Sequence, residues 1–173
     1  GIISDGHLQR GSQGTAGDIG HVRVSRGDNI ACRCGNYGCL EAVAGSPAVI
    51  KNVNDAGLPV RNMSDLVDAT KRSKVEAIQA VRQAGRDIGE VLSTCVSLMN
   101  PSIIVIGGSM ASAGEHLIAG VREAVYSRSM PLASESLSIV QSKAGKEVGI
   151  IGASVMAIEH VLDAETIDQM VAK

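Results

Sequence analysis

The chain has 173 residues, of which 45% are hydrophobic and 20% charged, with a formal net charge of −2. That is enough chain to bury a core, and Lys and Arg are scattered rather than clustered, so it shows no electrostatic footprint for DNA or RNA. With no Phe or Trp and two Tyr, it has no stacking platform for unpaired bases, and no apolar run approaches transmembrane length.

At the start, Ile2-Ile3 and Leu8 flank Ser4-Asp5-Gly6, and Asp-Gly between apolar residues predicts a tight β-hairpin. A strand pattern at the first residue asks for a neighbour to pair with, and there is neither an initiator methionine nor a signal region. The chain is therefore expected to be a fragment. The following GSQGTAGDIGH is too rich in glycine for a regular element and reads as a loop that carries Asp18 and His21 toward a ligand. Val22 and Val24 alternate with Arg23 and Ser25, which predicts a short strand.

His21 and three of the four cysteines then fall in one short segment, 21–39, ending in CRCGNYGC. Thiolate and imidazole donors suit a borderline-soft metal, and a Cys3His set closes a tetrahedron with no position left for water. His21, Cys32, Cys34 and Cys39 are expected to hold a structural zinc ion. Gly35 and Gly38 let the backbone turn sharply enough for closely spaced thiolates to converge. Two other readings remain open at this stage: ordinary buried thiols, or a disulfide framework in an oxidising compartment. Without a signal region, reduced thiols in the cytoplasm are the expectation.

Leu40–Ala44 favours helix, and Ser46-Pro47 supplies an N-cap and a first-turn proline for a second helix to about Val53. Asn54 to Pro59 breaks it, and Ser64 starts SDLVDATKR, acidic in its first turn and basic in its last. The longest predicted helix runs from about Ser73 to Met99. Its stripe is Ile78, Val81, Gly85, Ile88, Leu92, Cys95 and Met99, on which Cys95 reads as a small core residue. Asn100-Pro101 ends the helix, and Ser102–Ile106 reads as a strand buried on both faces. Gly107-Gly108-Ser109 follows, which reads either as a plain tight strand-to-helix turn or as the kind of turn that opens toward ligands in α/β sheets, and then a helix from about Ala113 to Arg128. Another strand is predicted around Leu137, Ile139 and Val140. After a polar turn at Lys143–Lys146, a helix opens at Gly149 and runs to about Leu162, with Val155, Ile158, Val161 and Leu162 on one face. A short helix from Glu165 to Val171 ends the chain.

GDIGH followed by CRCGNYGCLE resembles the signature of the ROK family, which groups bacterial repressors and sugar kinases, and the resemblance continues through NPSIIVIGGSMASAG to GIIGAS. It implies an α/β fold, the C-terminal domain of the actin-like, ribonuclease H-like ATPases, with residues 1–173 as one domain. It also implies that Asp18, His21 and Glu41 hold sugar hydroxyls, and that Gly107, Gly108 and Ser109 lie against the nucleotide if the protein is a kinase. A histidine giving one ring nitrogen to zinc has its other N–H fixed as a donor. The family usually has glutamate where this chain has Asp18, a side chain shorter by one methylene. The kinase base of the family lies in the N-terminal half, outside these residues. The expectation is the zinc-stabilised, sugar-sensing effector domain of a ROK transcriptional regulator, homo-oligomeric, with no membrane association. Its partner would be a sugar or sugar phosphate, and it would reach DNA only through an upstream domain. The alternative is half of an ATP- and magnesium-dependent sugar kinase.

Overall fold

The computed structural model describes residues 1–145, 147–163 and 167–168. These divide into two compact units, 1–141 and 142–173. In the first, β1 (Ile2–Ser4) and β2 (His7–Gln9) form the expected antiparallel hairpin, with Asp5 and Gly6 both at positive φ in its turn. The glycine-rich loop then folds over the hairpin. Gly17, at φ +79, lies so close to Ile2 and Gly1 that an added Cβ would stand 3.0 and 3.3 Å from them.

The strand expected at Val22–Val24 does not form. That segment makes one isolated bridge, Arg23 to Cys39, and Val24 leads into a 3₁₀ turn, Ser25–Gly27. The reason lies in the side chains, because Val24 is buried while Val22 is exposed, so the alternation defines no common face. Helices α1 (Leu40–Ala44) and α2 (Ser46–Asp55) follow, with Gly45 rather than Ser46 at the N-cap of α2. Helix α3 (Met63–Lys71) starts earlier than its serine suggests, because the Asn62 side chain accepts from the Asp65 N–H at 3.0 Å and caps it.

Helix α4 (Val75–Met99) is the spine, with α1, α2 and α3 against one side and α5 (Glu115–Arg128) against another. Two buried clusters result. Val24, Val43, Val49, Val53, Leu66 and Val81 lie in one, while Leu92, Val96, Val121, Val125 and Ile139 lie in the other. The expected stripe is shifted, since Ala77, Ala84 and Gly89 join the buried face, whereas Cys95 is only half-buried and Met99 exposed. Small residues explain the shift. A Cβ on Gly85 would stand 2.3 Å from the Leu117 carbonyl oxygen, and one on Gly120 would stand 2.2 Å from that of Arg82. The two backbones therefore approach more closely than larger side chains would allow.

Strands β3 (Ile103–Ile106) and β4 (Ser138–Gln141) pair in parallel, in the register Ile104 to Ile139, with the short helix α6 (Pro131–Ser134) between α5 and β4. The sequence expectation of two buried faces for β3 fails. Ile103 and Val105 are 52% and 56% exposed, whereas Ile104 and Ile106 pack on the second cluster. Among the described residues of this unit, only the face carrying Ile104 and Ile106 packs on a buried cluster. In the second unit, α7 (Val148–Val161) has no buried residue, so its expected apolar face is exposed. The predicted helix Glu165–Val171 falls largely outside the described residues.

Candidate metal centre and its neighbouring acids

The segment after the glycine-rich loop is held by backbone hydrogen bonds that cross it repeatedly. Val24 N–H donates to Gly38 O at 2.9 Å, Gly38 N–H to Ile30 O at 2.8 Å, and Leu40 N–H to Val22 O at 2.8 Å. Within this frame the Cys32 N–H donates to Asn36 O at 2.8 Å and the Gly35 N–H to Cys32 O at 3.0 Å, a knuckle that turns two cysteines the same way. Gly35 and Gly38 take φ +92 and +77, the left-handed region that favours glycine, as the spacing predicted. Gly27 is required for a different reason. A Cβ there would meet Val43 at 2.7 Å and Gly38 Cα at 2.8 Å, so the 3₁₀ turn sits flush on α1 and the metal loop.

The knuckle brings the four predicted donors together. Ligand atoms of His21, Cys32, Cys34 and Cys39 all lie within 4.8 Å of one another. Cys32 Sγ is 3.7 Å from His21 Nδ1, and Cys34 Sγ is 3.6 Å from Cys39 Sγ. A tetrahedral ion with bonds of about 2.3 Å to sulfur has donor edges of about 3.7 Å, so these residues fit one metal ion. The separations are far beyond the ~2 Å of a disulfide, and all four cysteines are free. The thiols differ strongly. The Asn36 backbone N–H, aided by Cys32, holds Cys34 at about 7, while burial and the neighbouring thiols push Cys39 up to about 12. Asn36 also donates its side-chain amide to Cys34 Sγ at 3.5 Å.

The acids of the predicted sugar set stand beside this centre. Glu41 opens α1, two residues past Cys39, and its N–H donates to Gly20 O at 2.8 Å. Gly20 lies between the two carboxylates, since a Cβ on it would be 3.2 Å from Asp18 Oδ1 and 3.9 Å from Glu41 Oε2. Asp18 turns back on its own loop and accepts the Gly20 N–H at 3.0 Å. Glu41 Oε1 accepts from Arg33 Nη2 at 2.8 Å, and that guanidinium, with burial opposing it, holds the Glu41 carboxyl below the usual carboxylate range. Arg33 was not singled out by the sequence, because CxCGxxGC places no demand on the residue between its first two cysteines.

A part-buried ion pair ties the loop to the spine. Arg26, in the 3₁₀ turn, donates through Nε and Nη2 to both oxygens of Asp87 on α4 at 2.7–3.0 Å, and Gln83 adds a bond to the same carboxylate at 2.9 Å. Next to it, the Ser25 hydroxyl donates to Glu90, which also faces Arg128 of α5. The pair escaped the sequence because its members are 61 residues apart.

The Gly107-Gly108-Ser109 turn leaves the carboxyl end of β3. It runs first into a 3₁₀ segment, Ser109–Ala113, and then past Gly114 into α5. All three of its residues are exposed, and Gly108, at φ +89, has open space where a Cβ would stand. Ile106, which precedes this turn, and Ile19, which follows Asp18, pack against the same buried clusters.

A cysteine-rich loop seated on a mixed α/β core, with four thiol and imidazole donors gathered in it and acids at its edge, defines a class of α/β proteins with a candidate metal site. The ROK family model matches residues 1–160, and the chain belongs to the ROK family. It is 29% identical over 163 residues to a xylose repressor of Bacillus spizizenii, covering 94% of this chain and 42% of that protein. It is 28% identical over 175 residues to a glucokinase of Thermotoga maritima, covering 93% of this chain and 55% of that one. Among solved structures, a ROK family transcriptional regulator homologous to the Escherichia coli MLC protein superposes with a TM-score of 0.78 at 30% identity, over 85% of this chain and 39% of that chain. The chain thus spans about half, or less, of the length of these relatives. Among the described residues, no helix is long and apolar enough to cross a membrane.

Proposed function

We propose that this chain is the C-terminal, sugar-sensing half of a ROK transcriptional regulator, braced by a structural zinc ion on His21, Cys32, Cys34 and Cys39. Three thiolates and an imidazole are a common structural zinc set, and zinc held by four protein donors fixes the loop without opening a position for reaction. With Nδ1 given to the metal, the other ring nitrogen of His21 keeps its proton and donates toward a sugar oxygen. Asp18 and Glu41 accept from sugar hydroxyls. The intact protein would be a cytoplasmic homo-oligomer that contacts DNA through a domain outside these residues.

The observation that carries the regulator reading is the state of Asp18. Its carboxylate is the short one, and it is already engaged by the Gly20 N–H at 3.0 Å. A sugar-holding acid misplaced by about 1 Å can lower a catalytic rate ~100-fold, whereas an equilibrium sensor loses much less. One observation favours the second reading, a sugar kinase: the exposed Gly107-Gly108-Ser109 turn at a strand's carboxyl end suits a nucleotide phosphate. ATP with magnesium would supply the phosphoryl group there, and the acceptor base would come from outside this chain.

The test is to titrate the intact protein with D-glucose and D-xylose by calorimetry and to assay the same sugars with ATP and magnesium. Sugar binding without turnover is expected. Turnover at an ordinary kinase rate, about 1–100 per second, overturns the regulator reading in favour of the kinase.

A further inference from the structure

Arg33 sits between two metal ligands yet directs its side chain at an acid of the sugar set. Its Nη2 donates to Glu41 Oε1 at 2.8 Å, and the two side chains are 92% and 42% exposed. A pair so open to water adds little to stability. Its effect on geometry is greater, because the two oxygens of Glu41 have different surroundings. Oε1 belongs to Arg33, while Oε2 faces Gly20, where a Cβ would stand 3.9 Å from it and 3.2 Å from Asp18 Oδ1. The backbone of Glu41 is pinned by its N–H bond to Gly20 O, so the remaining freedom of this residue is the rotation of its side chain.

We propose that Arg33 is a positioning residue of the sugar site: by occupying Oε1 of Glu41 it keeps Oε2 turned toward Gly20 and Asp18 as the oxygen that accepts a sugar hydroxyl. This rests on the sugar-binding reading above. It also gives the metal loop a second duty. The knuckle that carries Cys32 and Cys34 carries Arg33 as well, so the conformation set by the metal fixes the direction of an acid that the metal does not touch.

The experiment is calorimetric titration of the intact protein with D-glucose and D-xylose, comparing wild type, Arg33→Met, Arg33→Lys and Arg33→Met combined with Glu41→Gln, with metal content measured on each. Arg33→Met is expected to weaken the bound sugar about two- to fivefold at unchanged metal content. Arg33→Lys keeps one charged donor for Oε1 and is expected to restore most of the loss. In the Glu41→Gln background, Arg33→Met is expected to add no further loss, since the amide gives its one oxygen to Arg33 and leaves an NH2, not an acceptor, on the side that Arg33 orients. Unchanged affinity in Arg33→Met, a full additional loss in the double variant, or loss of metal in Arg33→Met would each overturn the proposal while leaving sugar binding intact. If the wild type binds neither sugar, the sugar-site reading falls and this proposal falls with it.

Discussion

The Arg26–Asp87 pair links the cysteine-rich segment to α4, and breaking it from either side should have unequal consequences. Asp87 is 3% exposed and Arg26 38%. Removing one member of a fully buried pair costs about 3–5 kcal/mol, because the survivor stays desolvated and unmatched. Arg26→Ala leaves the Asp87 carboxylate buried with only the Gln83 amide bond at 2.9 Å, so about 3 kcal/mol is expected. Asp87→Ala leaves a guanidinium that already reaches water and can turn further outward, so about 2 kcal/mol is expected. The double variant should cost about as much as Arg26→Ala alone, giving a coupling energy of about 2 kcal/mol in a double-mutant cycle. Urea titrations followed by circular dichroism measure all three. Additive losses, or a loss below about 1 kcal/mol in Arg26→Ala, would show that the salt bridge is solvent-screened and that the loop is held by other contacts.

Metal analysis of reduced protein should find about one equivalent of zinc per chain, and chelation should abolish amide exchange protection at Val24, Gly38 and Leu40 while α4 stays protected. Loss of protection throughout, or none in the loop, would refute a local brace. His21→Ala is expected to lose metal and sugar together, whereas Glu41→Gln keeps the metal and binds sugar about 10- to 100-fold more weakly; metal loss in both would misplace Glu41. Gly85→Ala should destabilise by about 2 kcal/mol despite a gain in helix propensity of about 1 kcal/mol, because its Cβ would meet the Leu117 carbonyl at 2.3 Å and α4 and α5 would have to part by about 1 Å. A stability gain in urea would mean that the helices are free to separate.

The gathering of His21, Cys32, Cys34 and Cys39 was legible because these residues are close in sequence and their chemistry is specific. A donor set with glycines at the turning points leaves few conformations that satisfy it. Helix existence was legible for the same local reason, since α4 repeats its pattern over seven turns' worth of apolar positions, even though packing against α5 widened its buried face to include Ala84 and Gly89. What failed was everything decided at a distance. Ile103 and Val105 look like core residues in the sequence, and nothing local says that both stay more than half exposed among the described residues. Val22 and Val24 have strand spacing, but a strand needs a ladder, and here the partner segment turns into α1 directly after a single bridge at Cys39. Asn62 took the cap expected nearby because a side-chain oxygen three residues before an amide is what the first helical turn selects, and the chain offered more than one candidate.

The compactness of the metal loop in sequence also bears on the order in which the protein can assemble. His21 and Cys32 are 11 residues apart, and Cys34 and Cys39 are 5 apart, whereas Arg26 waits for Asp87 across 61. Closing the longer loop costs about 1–2 kcal/mol more chain entropy than closing the shorter ones, and short-range contacts form first when topology sets the rate. During synthesis at about 5–20 residues per second, every donor is available seconds before Asp87 has been made. On the zinc reading proposed above, the loop has all its donors for the ion while the spine is still unmade, and the Arg26–Asp87 pair has to form after it.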